Sequence, residues 1–274
     1  MDTQPLVSII TPSYNQAKYL EETILSVLNQ DYPAVEYIIV DGGSTDGSLE
    51  IIHRYQGQLS AWISEPDQGQ TDAINKGFAL CRGKILAWLN SDDLYYPWTV
   101  GEAVEYLREH PRAGLVYGDT DIMDENGTTI AKFAARQTSY QRLMKGGVYI
   151  PQPAAFWRAE LWERAGPLDP SFRFAMDYDL WVRFAKQAEL HYHPRTWARF
   201  RYHREGKTTL ADRLCWPEMK RVYFREGGRI LSVFMAKYLL RRALGPLWTR
   251  FKKFHLRVQQ AEEGSKNGNL ANPG

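Results

Sequence analysis

Several common structural devices are missing from this sequence of 274 residues. It has two cysteines, Cys81 and Cys215, too few for a disulfide framework or a cysteine zinc site, so a reducing compartment is the default expectation. Long apolar runs are absent. The longest, Ile230 to Leu240, is interrupted by Lys237 and falls short of the roughly 20 residues that cross a bilayer. The opening MDTQPLVSIITPSYN has no basic segment ahead of its first apolar run, so no signal peptide is expected. A glycine-rich phosphate loop is also lacking. No G-x-G-x-x-G follows the first apolar run, and Gly206-Lys207-Thr208 is no Walker A ending, because Arg201 stands where that motif needs its first glycine. Net charge is small, +2 overall, but only by cancellation. From Arg199 to Arg257 there are 16 Lys and Arg against 4 Asp and Glu, a local balance of +12 that leaves −10 for the rest. Such segregation predicts that the C-terminal part faces something anionic, whether a membrane surface, a nucleic acid or a phosphorylated substrate.

Against these absences, one stretch stands out. Residues 84–93 read KILAWLNSDD, with Ile85 to Leu89 patterned as a strand buried on both faces. Asn90, Ser91, Asp92 and Asp93 follow at its carboxyl end, the edge of an α/β sheet where ligands bind. Adjacent carboxylates without a basic neighbour repel each other, and a divalent ion holding a phosphorylated ligand relieves that. A polar turn with Asp93 as a helix cap is the plainer alternative.

The first hundred residues alternate strand-like and helix-like segments with short connections. Leu6 to Thr11 is a strand that Pro12 is expected to stop, and Leu20, Ile24, Val27 and Leu28 form an amphipathic stripe. Val35 to Val40 is a second strand, running into the turn-forming Asp41-Gly42-Gly43-Ser44-Thr45-Asp46-Gly47. A helix with Leu49, Ile51, Ile52 and Tyr55, a strand from Leu59 to Ser64 and a helix from Thr71 to Leu80 complete the rhythm. The expectation is an α/β fold with helices on both faces of a parallel sheet. Further on, Gly114 to Gly118 reads as a fifth strand. Asn126-Gly127 suits a type I′ hairpin turn, which makes the sheet mixed. Ile150 to Phe156 reads as a proline-bounded edge strand.

The residues SIITPSYN (8–15), IIVDGGSTDGSLEII (38–52), SEPDQGQTDAINKGF (64–78) and KILAWLNSDD resemble the family 2 glycosyltransferases. The likeness is strong over the first hundred residues and patchy to about residue 210. It implies a GT-A fold, a Rossmann-like sandwich with a mixed, mostly parallel sheet, and sugar transfer from a nucleoside diphosphate sugar with inversion and a divalent metal, Mg²⁺ or Mn²⁺. By that resemblance Asp41 hydrogen-bonds the base, while Thr11, Pro12, Tyr14 and Asn15 line the nucleoside pocket. Asp72 and Asn75 close over base and ribose, and as the alternative to an edge strand Ile150 to Phe156 resembles the family's acceptor-side segment, with Gln152 toward a sugar. Asn90-Ser91-Asp92 stands at the family's D-x-D position with its first aspartate replaced by an amide, which can still hydrogen-bond a ribose hydroxyl. Asp92 is then the leading metal ligand, Asp93 a neighbour in the donor site, and His203 a candidate to complete the metal or diphosphate site. Asp177 stands where the family has its general base, with Asp179 as the alternative, and Arg204 and Lys207 are placed to stabilise the leaving diphosphate. Asp177 at a helix start is held ionised by the helix dipole on this reading.

The division expected is a catalytic domain over 1–210, with a nucleotide-binding half (1–110) and an acceptor half (111–210). A basic amphipathic helical extension (211–260) and a disordered tail (261–274) follow. In the extension Ile230, Leu231, Phe234, Met235 and Tyr238 form one stripe. Beyond the break at Gly245-Pro246, Leu247, Trp248, Phe251 and Phe254 interleave with Arg250, Lys252, Lys253 and Arg257. That is the pattern of an interfacial helix on anionic lipid; the alternative is packing on the catalytic domain or in a homodimer interface. The function expected is transfer from a UDP-type donor to a glycan or lipid-linked acceptor in cell-surface polysaccharide synthesis, in the cytoplasm or at the inner face of the cell membrane, without nucleic acid. The rivals are a glycan- or nucleotide-binding module with an impaired site, which Asn90 favours, and a sugar nucleotidyltransferase, which the missing glycine-rich loop disfavours.

Overall fold

The computed structural model describes residues 4–203 and 208–243. Its first part runs β1 (Val7–Ser13), α1 (Leu20–Leu28), β2 (Val35–Asp41), α2 (Ser48–Tyr55), β3 (Ala61–Ser64), α3 (Gln70–Leu80) and β4 (Ile85–Trp88). These strands pair in parallel, with β1 between β2 and β4 and β3 outside β2. Every residue of β1 and β4 is buried, which is why their apolar runs show no alternation. On α1 the predicted stripe holds, since Leu20, Ile24 and Val27 are buried. Helix α3 crosses β1 closely: a Cβ added at Gly77 would stand 2.6 Å from Ile10 Cγ2, so only glycine permits this approach.

Pro12 does not stop β1, which continues to Ser13. The β4 pairing ends at Ile10 opposite Trp88 while the β2 pairing continues to Ser13 opposite Asp41. Pro12 therefore falls where β1 has lost one neighbour, and its missing N–H interrupts no ladder.

The second part adds β5 (Leu94–Tyr95), α4 (Thr99–Glu109), β6 (Ala113–Met123), β7 (Thr129–Phe133), α5 (Tyr140–Leu143), β8 (Ala155–Arg158), α6 (Ala159–Ala165), α7 (Met176–Ala185), β9 (Glu189–Arg201) and α8 (Thr208–Arg225). The sheet order is β3-β2-β1-β4-β8-β6-β9-β5, with β7 on β6. The sheet is mixed, because β8 runs antiparallel to both β4 and β6. The alternative of an edge strand after Pro151 thus fails, since β8 is central. Its prolines precede the strand, where no ladder N–H is needed. The β6–β7 turn is not type I′. Gly127 has φ +84 while Asn126 is not among the residues of positive φ, and Asp124 Oδ1 accepts from Asn126 N and Thr128 N. A type I′ turn needs positive φ at both central residues.

Side chains of alternating parity divide into two cores. Ile10, Leu86 and Trp88 join Trp157 and Trp181 in one; Ile9, Ile85 and Ala87 join Leu20, Ile24 and Val100 in the other. Trp216, Met219, Val222 and Tyr223 of α8 enter the first core, as do Phe234 and Tyr238 of the helical segment 233–243. The predicted C-terminal stripe therefore splits. Phe234 and Tyr238 pack inward, whereas Ile230 and Leu231 are 74% and 96% exposed. Arg204, Lys207 and the basic aromatic segment beyond residue 243 lie outside the described residues. Among the described residues no helix is long and apolar enough to cross a membrane.

Candidate active site

The carboxyl ends of β1, β2 and β3 lie side by side, Ser13 opposite Asp41 and Asp41 opposite Ser64. Asp41 is fully buried. Its Oδ2 accepts from Gly43 N, Ser44 N and Ser64 Oγ at 2.8–3.0 Å, and its Oδ1 accepts from Ser44 Oγ at 2.5 Å. A carboxylate so occupied builds the loop and has no exposed oxygen for a base. Thr11 is likewise buried, its hydroxyl 3.0 Å from Tyr37 OH, and Pro12 is buried beside it, so neither lines a pocket. Tyr14 is 61% exposed and offers a ring face at the edge. Asn15, at φ +52, ties the first loop to the second through Thr45 N to its Oδ1 at 2.9 Å.

One acidic side chain here was missed by the sequence reading. A Cβ added at Gly42 would stand 2.5 Å from Asp67 Oδ2. The carboxyl of Asp67 fills the space just past β2, anchored by Gly69 N to its Oδ1 at 2.7 Å. Only the glycine at 42 makes room for it, and that pairing across 25 positions is invisible in one dimension.

Past β4, Asn90 is the hub of a side-chain network. Its Oδ1 accepts from Gln70 Nε2 at 2.7 Å, and its Nδ2 donates to Asp93 Oδ2 and Gln152 Oε1, both at 3.2 Å. Gln152 donates in turn to Trp88 O at 2.7 Å; in the structure it braces the end of β4. Ser91 is buried. Asp93 is wholly buried, its Oδ1 accepting from Arg201 N at 3.0 Å, and burial followed by the charge of Asp92 pushes its carboxyl well above the usual range. Asp93 belongs to the scaffold.

The end of β9 meets this turn. Arg201, buried, donates to Asp92 O at 3.0 Å and Glu22 Oε2 at 2.7 Å, with its guanidinium 4.6 Å from the Tyr19 ring. Two residues on, His203 Nε2 lies 2.9 Å from Asp92 Oδ2, its ring 4.9 Å from that of Tyr19. Period-two spacing in a strand puts residues 201 and 203 on one side, a signal the sequence carries for Arg201 once its strand is known. Asp92 and His203 could share a metal ion. Among the described residues no group of three or more His, Cys, Asp or Glu could hold one. An imidazole with one carboxylate fits Mn²⁺ better than Mg²⁺, which prefers oxygen.

Asp177 opens α7, whose Trp181 stacks on Trp88 at 6.0 Å. The segment before α7 is pinned at both ends. Thr71 Oγ1 at the start of α3 donates to Phe172 O at 3.2 Å, and Glu218 of α8 accepts from Arg173 N, Phe174 N and Ala175 N at 2.8–3.1 Å. Since Gln70 touches Asn90, α3 bridges the D-x-D turn to Asp177. The Asp177 carboxyl is half-buried and accepts from its neighbour's Tyr178 N at 2.7 Å. Burial, with the charge of Glu218 adding, pushes it up to about 6. The helix dipole does not keep it low, contrary to the sequence expectation, because desolvation outweighs it. Asp179 is buried in ion pairs with Arg183 at 3.0 Å and Arg225 at 2.5 Å, which removes it as the alternative base. Asn75 is structural too, clamping Leu168 through Nδ2 to O and Oδ1 from N, both 2.9 Å. Asp72 accepts from Gln68 N at 3.1 Å and pairs with Lys76 at 3.3 Å.

A sequence model described as glycosyl transferase family 2 matches residues 8–160. A PGL/p-HBAD biosynthesis glycosyltransferase of Mycobacterium bovis is 32% identical over 183 residues, covering 65% of this chain and 69% of that protein. The chain spans only 35% of an uncharacterised glycosyltransferase of Rickettsia felis, to which it is 28% identical over 73% of its own length. Among solved structures, S. aureus TarS 1-349 in complex with UDP-GlcNAc has a TM-score of 0.67 at 18% identity, covering 94% of this chain and 77% of that one. The mannosyltransferase PcManGT of Pyrobaculum calidifontis in complex with GDP-Man and Mn²⁺ has a TM-score of 0.65 at 20% identity, covering 98% and 81%. These two likenesses concern the fold, which is GT-A.

Proposed function

The chain belongs to glycosyl transferase family 2, and from that premise we propose that it moves a sugar from a nucleoside diphosphate sugar to an acceptor hydroxyl with inversion, Asp177 acting as general base. One observation carries the reading. Asp177, pushed up to about 6 by burial and accepting from Tyr178 N, opens the helix whose Trp181 stacks on Trp88, the strand residue that leads into the turn of Asn90 to Asp93. Helix α3 contacts both that turn and the segment before Asp177.

A sugar hydroxyl is a poor nucleophile, and a carboxylate near pKa 6 is deprotonated at neutral pH yet basic enough to take its proton as the C–O bond forms. The anomeric carbon is attacked as its bond to the diphosphate oxygen breaks, and the leaving diphosphate departs with that electron pair. Asp92, with His203, would hold a divalent ion; when bound, that ion would neutralise the diphosphate's charge. Asn90, whose Nδ2 already donates to Asp93 and Gln152, keeps one Oδ1 lone pair with which to accept from a ribose hydroxyl. Tyr14 offers a stacking face to the base. Asp67, whose carboxylate fills the space beside Gly42, is the acid we assign to the base edge in place of Asp41. A carboxylate there accepts from the ring N–H of uracil or guanine, which supports a UDP- or GDP-type donor. Relatives named for PGL/p-HBAD biosynthesis and, putatively, for teichuronic acid biosynthesis support a role in building a glycan or other glycosylated product, which we place at the cytoplasmic membrane face. Ile230 and Leu231, exposed among basic residues, support a peripheral membrane contact.

Nucleotide binding titrated with and without Mn²⁺ tests the metal. The wild type should bind UDP or GDP more tightly with Mn²⁺, and Asp92→Ala should lose that increment. Unchanged metal dependence in the variant removes Asp92 as the ligand.

A further inference from the structure

Outside the donor crevice, one cleft concentrates charge that the mechanism above does not use. Arg136, Arg142, Lys145, Tyr149, Val233 and Lys237 line a volume of about 330 Å³ between the α5 region and the helical segment 233–243. Among the described residues its lining brings four cations together without an acid. Where the cations are engaged, the partners are neutral backbone oxygens: Arg142 Nη1 donates to Gln137 O at 2.5 Å, and Lys237 Nζ to Lys145 O at 2.9 Å. Like charges confined this way repel each other, and a bound anion is what relieves them. The walls are fixed. Gly146, at φ +71, brings its backbone against Phe234 and Trp216, with an added Cβ 3.2 Å from each ring. Val233 and Lys237 lie one turn apart on the same helix face.

Two neighbouring features say what the anion is attached to. On one side the cleft opens onto apolar surface: Val233 is 54% exposed, and Ile230 and Leu231 precede it at 74% and 96%. On the other side Tyr149 is three residues from Gln152, which hydrogen-bonds Asn90 at 3.2 Å. Three extended residues span at most about 10 Å, the reach of one or two sugar rings. A phosphate held by the cleft would therefore have an apolar path on one side and the D-x-D turn on the other.

We propose that this cleft binds the diphosphate of a lipid-linked acceptor, with the lipid against Ile230, Leu231 and Val233 and the acceptor sugar extending past Gln152 into the crevice toward Asp177. The acceptor role rests on the glycosyltransferase reading; the diphosphate site does not. A bulk phospholipid headgroup is the less fitting occupant, because one monoanionic phosphate leaves most of the four charges uncompensated and needs no path to Gln152.

The test uses the full chain and farnesyl diphosphate as probe, with saturating UDP and Mn²⁺ present to occupy the donor site. Wild type should bind it saturably and farnesol at least tenfold more weakly. Arg142→Ala/Lys237→Ala should lower farnesyl diphosphate affinity about tenfold or more, since each removes a charge-assisted contact, while Arg142→Lys/Lys237→Arg restores most of it and UDP affinity stays constant in all. Equal binding by wild type and the alanine pair overturns the site, as does binding of farnesol as tight as that of farnesyl diphosphate. Loss of phosphatidylglycerol vesicle binding by the alanine pair with farnesyl diphosphate binding intact also overturns it, in favour of a bulk membrane contact. If the wild type fails to bind nucleotide or transfer sugar, that failure falls on the glycosyltransferase reading, because probe binding is scored without turnover.

Discussion

Asp177 is subject to two opposed effects. Burial disfavours its charge, and catalysis needs the charged form. Its pKa of about 6 predicts transfer that rises with pH through about 6 and levels above it, if the profile is read as kcat/KM. Asp177→Asn should lower transfer by about 10²–10⁴-fold and leave donor affinity nearly unchanged; comparable turnover would move the base elsewhere. The stability effect has the reverse sign. A carboxyl raised in the folded state binds its proton more tightly there than when unfolded, so its contribution falls as pH climbs from about 4 through 6. Asp177→Asn should therefore stabilise the fold at pH 7, by about 1 kcal/mol once the half-exposure is discounted, visible as a higher Tm. Asp41 behaves differently. Asp41→Ala unpairs Gly43 N, Ser44 N and Ser64 Oγ, and chemical denaturation should register a loss of about 3 kcal/mol. If stability holds and only nucleotide affinity falls, Asp41 touches the base after all. Asp67→Ala should do the opposite, weakening UDP or GDP binding with little change in stability.

At the scale of elements, the chain's local pattern and its neighbours divide the credit. The stripe on α1, the turn after β2 and the apolar run of β4 were legible, because burial of both sheet faces writes itself into uninterrupted apolar sequence. Pro12 within β1 and the central position of β8 were not, since both depend on where a neighbouring strand stops. The C-terminal helix is the sharpest case. One apolar stripe in sequence divides between Phe234 and Tyr238, which enter the core from the helical segment 233–243, and Ile230 and Leu231, which precede it and are exposed. Phe234→Ala should cost about 3–5 kcal/mol, since Phe234 is 1% exposed and stacks on Tyr223 at 4.4 Å. Ile230→Glu and Leu231→Glu should change stability by less than about 0.5 kcal/mol yet reduce sedimentation with anionic vesicles. Unaltered sedimentation would leave that surface without a lipid partner. Truncation before this helix would confuse the two effects, because it removes Phe234 and Tyr238 from the core.

Over the whole molecule, the segments that assemble the proposed donor crevice are far apart in the chain. Asn90 meets Gln70 and Gln152, Asp92 meets His203, and Glu218 of α8 holds the loop that presents Asp177. The sequence by itself determined the α/β alternation, the carboxyl-edge placement of Asn90 to Asp93 and the family, because each is a local pattern of apolar spacing and short motifs. Which acids are free to act was decided only in three dimensions. Asp41, Asp93 and Asp179 look as available as Asp67, Asp92 and Asp177 when read along the chain. Burial and hydrogen-bond partners consume the first three within the scaffold and leave the others partly exposed, and for each of the three one partner comes from a residue distant in sequence. The cationic cleft has the same origin: Arg136, Arg142, Lys145 and Lys237 converge only when the helix of Phe234 packs beside α5, and no spacing in the chain announces their meeting.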